Sequence, residues 1–140
     1  MKRSLPDVNV WFALAVEEHQ HHIQARAWWE EGAGWCGFVP LTMLGFLRLL
    51  TSASPMRGKP LTNDAAWAVV DSLLDDERVG LLPELSPLDS RFRGLSQGLQ
   101  ASPKVWADAY LAAHAAANEV TIITFDRAFT RYGVKCRILA

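Results

Sequence analysis

Three aspartates, Asp7, Asp108 and Asp126, sit where a chain of alternating helices and strands would bring them together. Asp7 follows the short stretch Ser4-Leu5-Pro6 and precedes an apolar run over residues 8–16, broken early by Asn9. Asp108 lies near the start of an alanine-rich helical segment, 105–118, that ends at Asn118 and Glu119. Asp126 directly follows the β-branched run 120–124, the mark of a buried parallel strand. Converging carboxylates repel and raise one another's pKa, a cost that a bound cation removes. Oxygen donors with no paired His or Cys nearby favour Mg²⁺ or Mn²⁺ over zinc. Such an ion activates water and neutralises a phosphoryl oxygen, and helix N-termini at the same edge attract phosphate. The chemistry indicated is phosphodiester hydrolysis. A single aspartate is more often a helix or turn cap; three at equivalent places argue for a site.

The elements that must position these groups follow from periodicity and punctuation. Helices are expected over 8–16, 23–31, 41–50, from Asn63-Asp64 to about residue 75, 87–100 and 105–118, with a short helical turn from Asp126 to Tyr132. Strands are expected at 4–6, 35–39, 79–82, 120–124 and 134–139. Gly32-Ala33-Gly34 ends one helix, residues 51–61 form the clearest loop, and Ser102-Pro103 is a helix-start signal with Ser102 as cap. This alternation predicts an α/β fold: a three-layer α/β/α sandwich with a central, mainly parallel sheet built from right-handed crossovers. The three aspartates, with Thr42 and Met43 at a helix start, should then meet at the carboxyl edge of the sheet, where open α/β sheets bind ligands.

Composition bounds the partners. The chain has 140 residues and is read as one domain over 1–140. A formal charge of −1, from 14 Lys and Arg against 15 Asp and Glu, encodes no general pull on nucleic acid or membrane. No apolar run approaches the ~20 residues needed to span a bilayer, and a cytoplasmic location is expected. Cys36 and Cys136 lie in apolar strand-like contexts and are expected as buried free thiols.

Four motifs occur in order: L-P-D-V-N-V-W near the start, P-L-T-M-L-G-F-L-R in the middle, then W-A-D-A-Y-L-A-A-H-A and T-F-D-R-A-F. Together they resemble the PIN-domain ribonucleases over nearly the whole chain, and more narrowly the VapC-type toxins of bacterial toxin–antitoxin pairs. The resemblance implies Mg²⁺-dependent cleavage of RNA (Mn²⁺ being possible), a homodimer, and inhibition by a cognate antitoxin protein. By motif, Asp7, Asp108 and Asp126 match the acidic positions, Asn9 the polar residue two after the first, and Thr124 the hydroxyl residue two before the last. Thr42 matches the threonine of the middle motif. The family usually carries an acid after that threonine; here it is Met43, which cannot bind a hard cation. A catalytically weakened PIN domain that binds RNA or antitoxin is therefore the alternative reading.

Other residues carry less. Arg48, Arg127 and Arg131 are candidates for RNA phosphate contacts, with Arg57 and Lys59 weaker ones. His19, His21 and His22 lack partners at metal-ligand spacing and read as a solvated helix start. His114 lies six residues after Asp108, about 240° around the helix, and does not join that site. Trp28 or Trp29, Trp67 and Trp106 are expected in the core or a partner groove. The helix over 41–50 is apolar on most sides and, with Trp67 and Val70 beside it, predicts a dimer contact. A haloacid-dehalogenase-type phosphatase would want a second aspartate where Asn9 stands, and a receiver domain a lysine at the end of the last strand.

Overall fold

The computed structural model describes residues 2–140. In chain order its elements are β1 (Arg3–Pro6), α1 (Val8–Ala15), α2 (His22–Glu30), β2 (Trp35–Phe38), α3 (Pro40–Leu50), α4 (Asn63–Leu74), β3 (Val79–Leu81), α5 (Leu88–Ser96), α6 (Val105–Asn118), β4 (Thr121–Thr124), a 3₁₀ helix (Arg127–Tyr132) and β5 (Cys136–Ile138). The five strands form one sheet in the order β3-β2-β1-β4-β5. Every pairing is parallel, with Leu5 opposite Ile122 and Pro6 opposite Ile123 at the centre. Pro6, which has no N–H to offer, stands at the last residue of its strand.

Helices cover both faces, as the alternating pattern predicts. Under α1–α4, the Trp11 ring stacks on Phe38 at 4.1 Å and joins Phe46, Leu50 and Val70 in one apolar cluster. Across the sheet, Leu5 and Ile122 pack against Ala109, Ala112 and Ala115 of α6 and against Phe129. The alanines of α6 let its backbone lie close to the sheet, which explains a composition that strand or loop would not use. Helix α6 ends on Glu119 in the left-handed conformation at φ 55°, a turn that returns the chain straight into β4.

Two close approaches fix the layers. Gly37 and Gly80, on neighbouring strands, leave room for the Trp35 indole: a Cβ at either would lie 2.9 or 2.7 Å from its ring carbons. Gly45 of α3 lets α1 approach, since a Cβ there would lie 2.6 Å from Val8 Cγ2.

The structure departs from the sequence reading in three places, at the end of α5, at Ser102 and at Cys136. Helix α5 stops at Ser96 rather than reaching residue 100, because Gln97 is extended and Gly98 turns left-handed at φ 82°. Ser102 does not cap α6; Lys104 holds that position, and the Ser102 hydroxyl accepts from the Lys104 N–H in the turn before it. Of the tryptophans expected in the core or a partner groove, Trp28 lies in the core, whereas Trp67 and Trp106, 50% and 60% exposed, lie outside it. Cys36 is a buried free thiol, whereas the free thiol of Cys136 is only half-buried.

The α1–α3 contact gives a test. Gly45→Ala should gain helix propensity yet lower stability by about 1–3 kcal/mol, because the new Cβ would force the branched Val8 side chain to shift. Val8→Ala in the same chain should recover most of the loss in thermal melts; failure to recover it would place the strain elsewhere.

Candidate active site

The site is built on adjacent ends of β1 and β4. The Asp7 N–H donates to the Ile123 carbonyl at 2.8 Å, continuing the strand pairing one residue past β1. The Asp7 carboxylate then does two things at once. Its Oδ1 caps α1 by accepting from the Val8 N–H at 2.7 Å, and its Oδ2 accepts from the buried Thr124 hydroxyl at 3.1 Å. Thr124 Oγ1 in turn accepts from the Asp126 N–H at 3.0 Å, and Asp126 Oδ1 caps the 3₁₀ helix through the Ala128 N–H at 2.9 Å. Asp108 arrives from the other layer, in the first turn of α6.

The charges of these acids are coupled in every pair. Burial pushes the Asp7 carboxyl above its ordinary range, opposed by the Thr124 and Val8 hydrogen bonds and reinforced by the charge on Asp126. Asp108 is pushed up to about 6, first by burial, then by Asp7 and Asp126, against the pull of Arg131 and Lys104. The three charges bear on one another across the β1–β4 edge, which is what the sequence reading of a shared site requires. It is not a closed cage: among the described residues no three His, Cys, Asp or Glu side chains are gathered as a set that could hold one ion.

The supporting residues divide. Thr124 is the hinge of the network. Thr42 is buried and serves its own helix: its hydroxyl accepts from the Val39 N–H and donates to the Val39 carbonyl, both at 3.1 Å. Asn9 is exposed and lines a surface hollow with Gly45, Arg48 and Ser52, so Arg48 keeps company with Asn9 between α1 and α3. Met43 is half-buried and packs against the apolar cluster under α1–α4. Arg127 and Arg131 are exposed on the 3₁₀ helix, and only Arg131 bears on Asp108. His114 is buried beside Tyr110, away from these acids.

Three participants escape the sequence reading. Lys104 acts on Asp108 from four residues earlier, a helical spacing that could have flagged it. The Tyr132 hydroxyl is buried beside Arg131, and the charges of Arg131, Asp108 and Asp126 all reach it. The His21 ring stacks on Phe125, between Thr124 and Asp126, at 4.6 Å.

The PIN domain family matches residues 4–135 of the chain. The chain belongs to the PIN-domain family. This PIN domain is 40% identical to ribonuclease VapC41 of Mycobacterium tuberculosis, over 97% of the chain and 98% of that protein. Among solved structures, the Mycobacterium tuberculosis toxin VapC20, described as cleaving the sarcin–ricin loop, superposes with a TM-score of 0.69 at 18% identity, over 94% of this chain and 95% of that one. VapBC2 from Rickettsia felis, bound to a promoter DNA fragment, superposes at 0.67 with 12% identity, over 99% of each chain. At those identities the superpositions establish the shared fold.

The donors of this PIN domain fit a hard divalent cation by chemistry: carboxylate oxygens, partly desolvated, in mutual repulsion that a cation relieves. The repulsion is measurable without metal. A raised carboxyl means the folded chain holds that proton more tightly than the unfolded one. The contribution of Asp108 to metal-free stability is therefore full below its ordinary 3.8 and lost as pH rises through about 6. Asp108→Asn should remove this loss. In chelator, the melting temperature of the variant minus that of wild type should grow from about pH 4 to pH 7 and then level off; a difference independent of pH would refute the coupling.

Proposed function

We propose that this PIN domain is a divalent-metal-dependent endoribonuclease, acting as the toxin of a toxin–antitoxin pair. The observation that carries the reading is the mutual coupling of Asp7, Asp108 and Asp126 at the β1–β4 edge, in a chain 40% identical to a named ribonuclease. Mg²⁺ commonly binds through one or two carboxylates plus substrate phosphate and keeps several waters, which suits acids that are close but not caged. Bound there, such an ion would neutralise a phosphoryl oxygen and acidify a water. The chain's own residues do the rest. Thr124 holds the Asp7 carboxylate in place, the caps on α1 and the 3₁₀ helix fix Asp7 and Asp126, and Asp108 closes the site from the opposite layer. The proposed partners are RNA as substrate, a cognate antitoxin, and a second copy of the chain. The dimer reading is supported by Leu44, 61% exposed, and Trp67 flanking a hollow between α3 and α4.

Met43 favours a second reading, a weakened PIN domain that binds RNA or antitoxin without cutting. Purified protein with RNA and Mg²⁺ or Mn²⁺ separates the two. Asp7→Asn, Asp108→Asn and Asp126→Asn should each abolish metal-dependent cleavage. Saturating metal at 100-fold over its dissociation constant should stabilise the wild type by ~2.7 kcal/mol. Thr124→Val keeps the shape and removes the hydroxyl that orients Asp7; it should lower metal affinity or activity by ~10–100-fold. Cleavage that survives all three Asp→Asn changes would remove the site.

Met43→Glu adds an oxygen ligand and a fourth charge. Calorimetric titration should show tighter Mg²⁺ binding and faster cleavage, with lower stability in chelator. Unchanged affinity and rate would mean that position 43 belongs to the apolar cluster alone.

A further inference from the structure

A second pocket lies in residues that the proposed reaction does not use. The α1–α2 turn and the α3–α4 connection enclose a cavity of about 300 Å³, at the lower end of small-molecule sites (~300–1,000 Å³). Val16, Pro55 and Met56 give it an apolar lining, and His19, Arg57 and Lys59 line it beside Glu18. The two segments are pinned together: the Arg57 guanidinium donates to the Glu18 carbonyl at 2.6 Å. Arg57 holds φ at 53°, the left-handed region that a branched or long side chain adopts at a cost. Arg57 and Lys59 take part in none of the ion pairs seen among the described residues. Their charge is therefore not spent on a carboxylate.

His19 adds a donor of defined identity. Its Nδ1 accepts from the His21 N–H at 3.0 Å, which leaves the proton of the neutral ring on Nε2. Burial and the neighbouring charges of His21, Arg57 and His22 hold its pKa below the ordinary value. The same turn is keyed to the acidic edge, because His21 stacks on Phe125, the residue before Asp126.

We propose that this pocket binds a nucleoside-phosphate unit, its phosphate taken by Arg57, Lys59 and His19 and its base laid on Val16, Pro55 and Met56. The contact between His21 and Phe125 makes a nucleotide of the bound RNA strand, outside the scissile position, its source. The proposal rests on the reading of the chain as an RNA-cutting enzyme, but its test does not require cutting.

Binding of a labelled single-stranded RNA is measured by fluorescence anisotropy in full-length Asp108→Asn protein, with and without Lys59→Ala and Arg57→Gly. Glycine suits the left-handed backbone at position 57, and the Lys59→Ala change keeps the backbone N–H that donates to the Met56 carbonyl, so thermal melts should show both variants folded. The pair should weaken RNA binding about tenfold for every sequence tried, and flatten the dependence of log affinity on log salt by ~0.7 for each phosphate no longer neutralised. In the active chain, the same changes should raise KM on long RNA with kcat unchanged. Titration with AMP or CMP separates the sources. If mononucleotide raises the His19 pKa, followed by NMR, while the variants leave RNA affinity intact, the pocket is a free-nucleotide site and the RNA strand is not its source. If RNA affinity, salt slope and mononucleotide binding are all unchanged, or only antitoxin binding suffers, the proposal is overturned. Weaker RNA binding by the variants in a chain that never cleaves RNA would sustain the pocket and defeat the nuclease reading instead.

Discussion

Everything at the acidic edge depends on one hydroxyl. Thr124 donates to Asp7 and accepts from the backbone of Asp126, so a single buried side chain ties the end of β1 to the end of β4. These strands are neighbours in space and far apart in sequence, and they meet where the sheet changes direction. The chain leaving β1 runs toward β2 on one side, while the chain leaving β4 runs toward β5 on the other. The crevice between two departing connections is where open parallel sheets hold ligands. In this fold the crevice is floored by a hydrogen-bonded relay rather than by apolar side chains.

That relay works against its own electrostatics. Burial and like charge raise Asp7 and Asp108, and hydrogen bonds from Thr124 and Val8 offset only part of the effect on Asp7. Three acids stay together because each is fixed by an element with other reasons to be there. Asp7 caps α1, Asp126 caps the 3₁₀ helix, and Asp108 rides on the alanine-rich α6 pressed to the sheet. Lys104 and Arg131 temper the charge from the rim. A site so arranged is pre-stressed: the favourable packing of two apolar layers holds open a place where positive charge is welcome.

The layers and the acids are legible in the sequence for a simple reason. Apolar runs bounded by turn residues mark strands, and an aspartate directly after such a run has only the sheet edge to occupy. Thr124 is legible only through the resemblance of T-F-D-R-A-F to the family's motif, since periodicity gives its hydroxyl no task. What depends on side-chain packing is not. Periodicity marks a tryptophan as apolar without saying whether the core or a partner takes it, and only the packing places Trp67 and Trp106 outside the core. Thr42 has the type and place of a site residue, yet its hydroxyl is consumed in starting α3. The stacking of His21 on Phe125 joins residues about a hundred positions apart, beyond any local pattern.

The Trp35 indole resting over Gly37 and Gly80 has a consequence for descent. The ring occupies the space that two Cβ atoms on adjacent strands would need. Gly80 can grow only after the tryptophan has shrunk, Gly37 only after both the tryptophan and Leu82, 2.6 Å from such a Cβ, have given way, and a smaller residue at position 35 leaves a hollow until a glycine grows. Trp35, Gly37, Gly80 and Leu82 therefore form one heritable unit across two neighbouring strands. Among relatives they should change in concert, and chains that inherit half of the exchange should be rare.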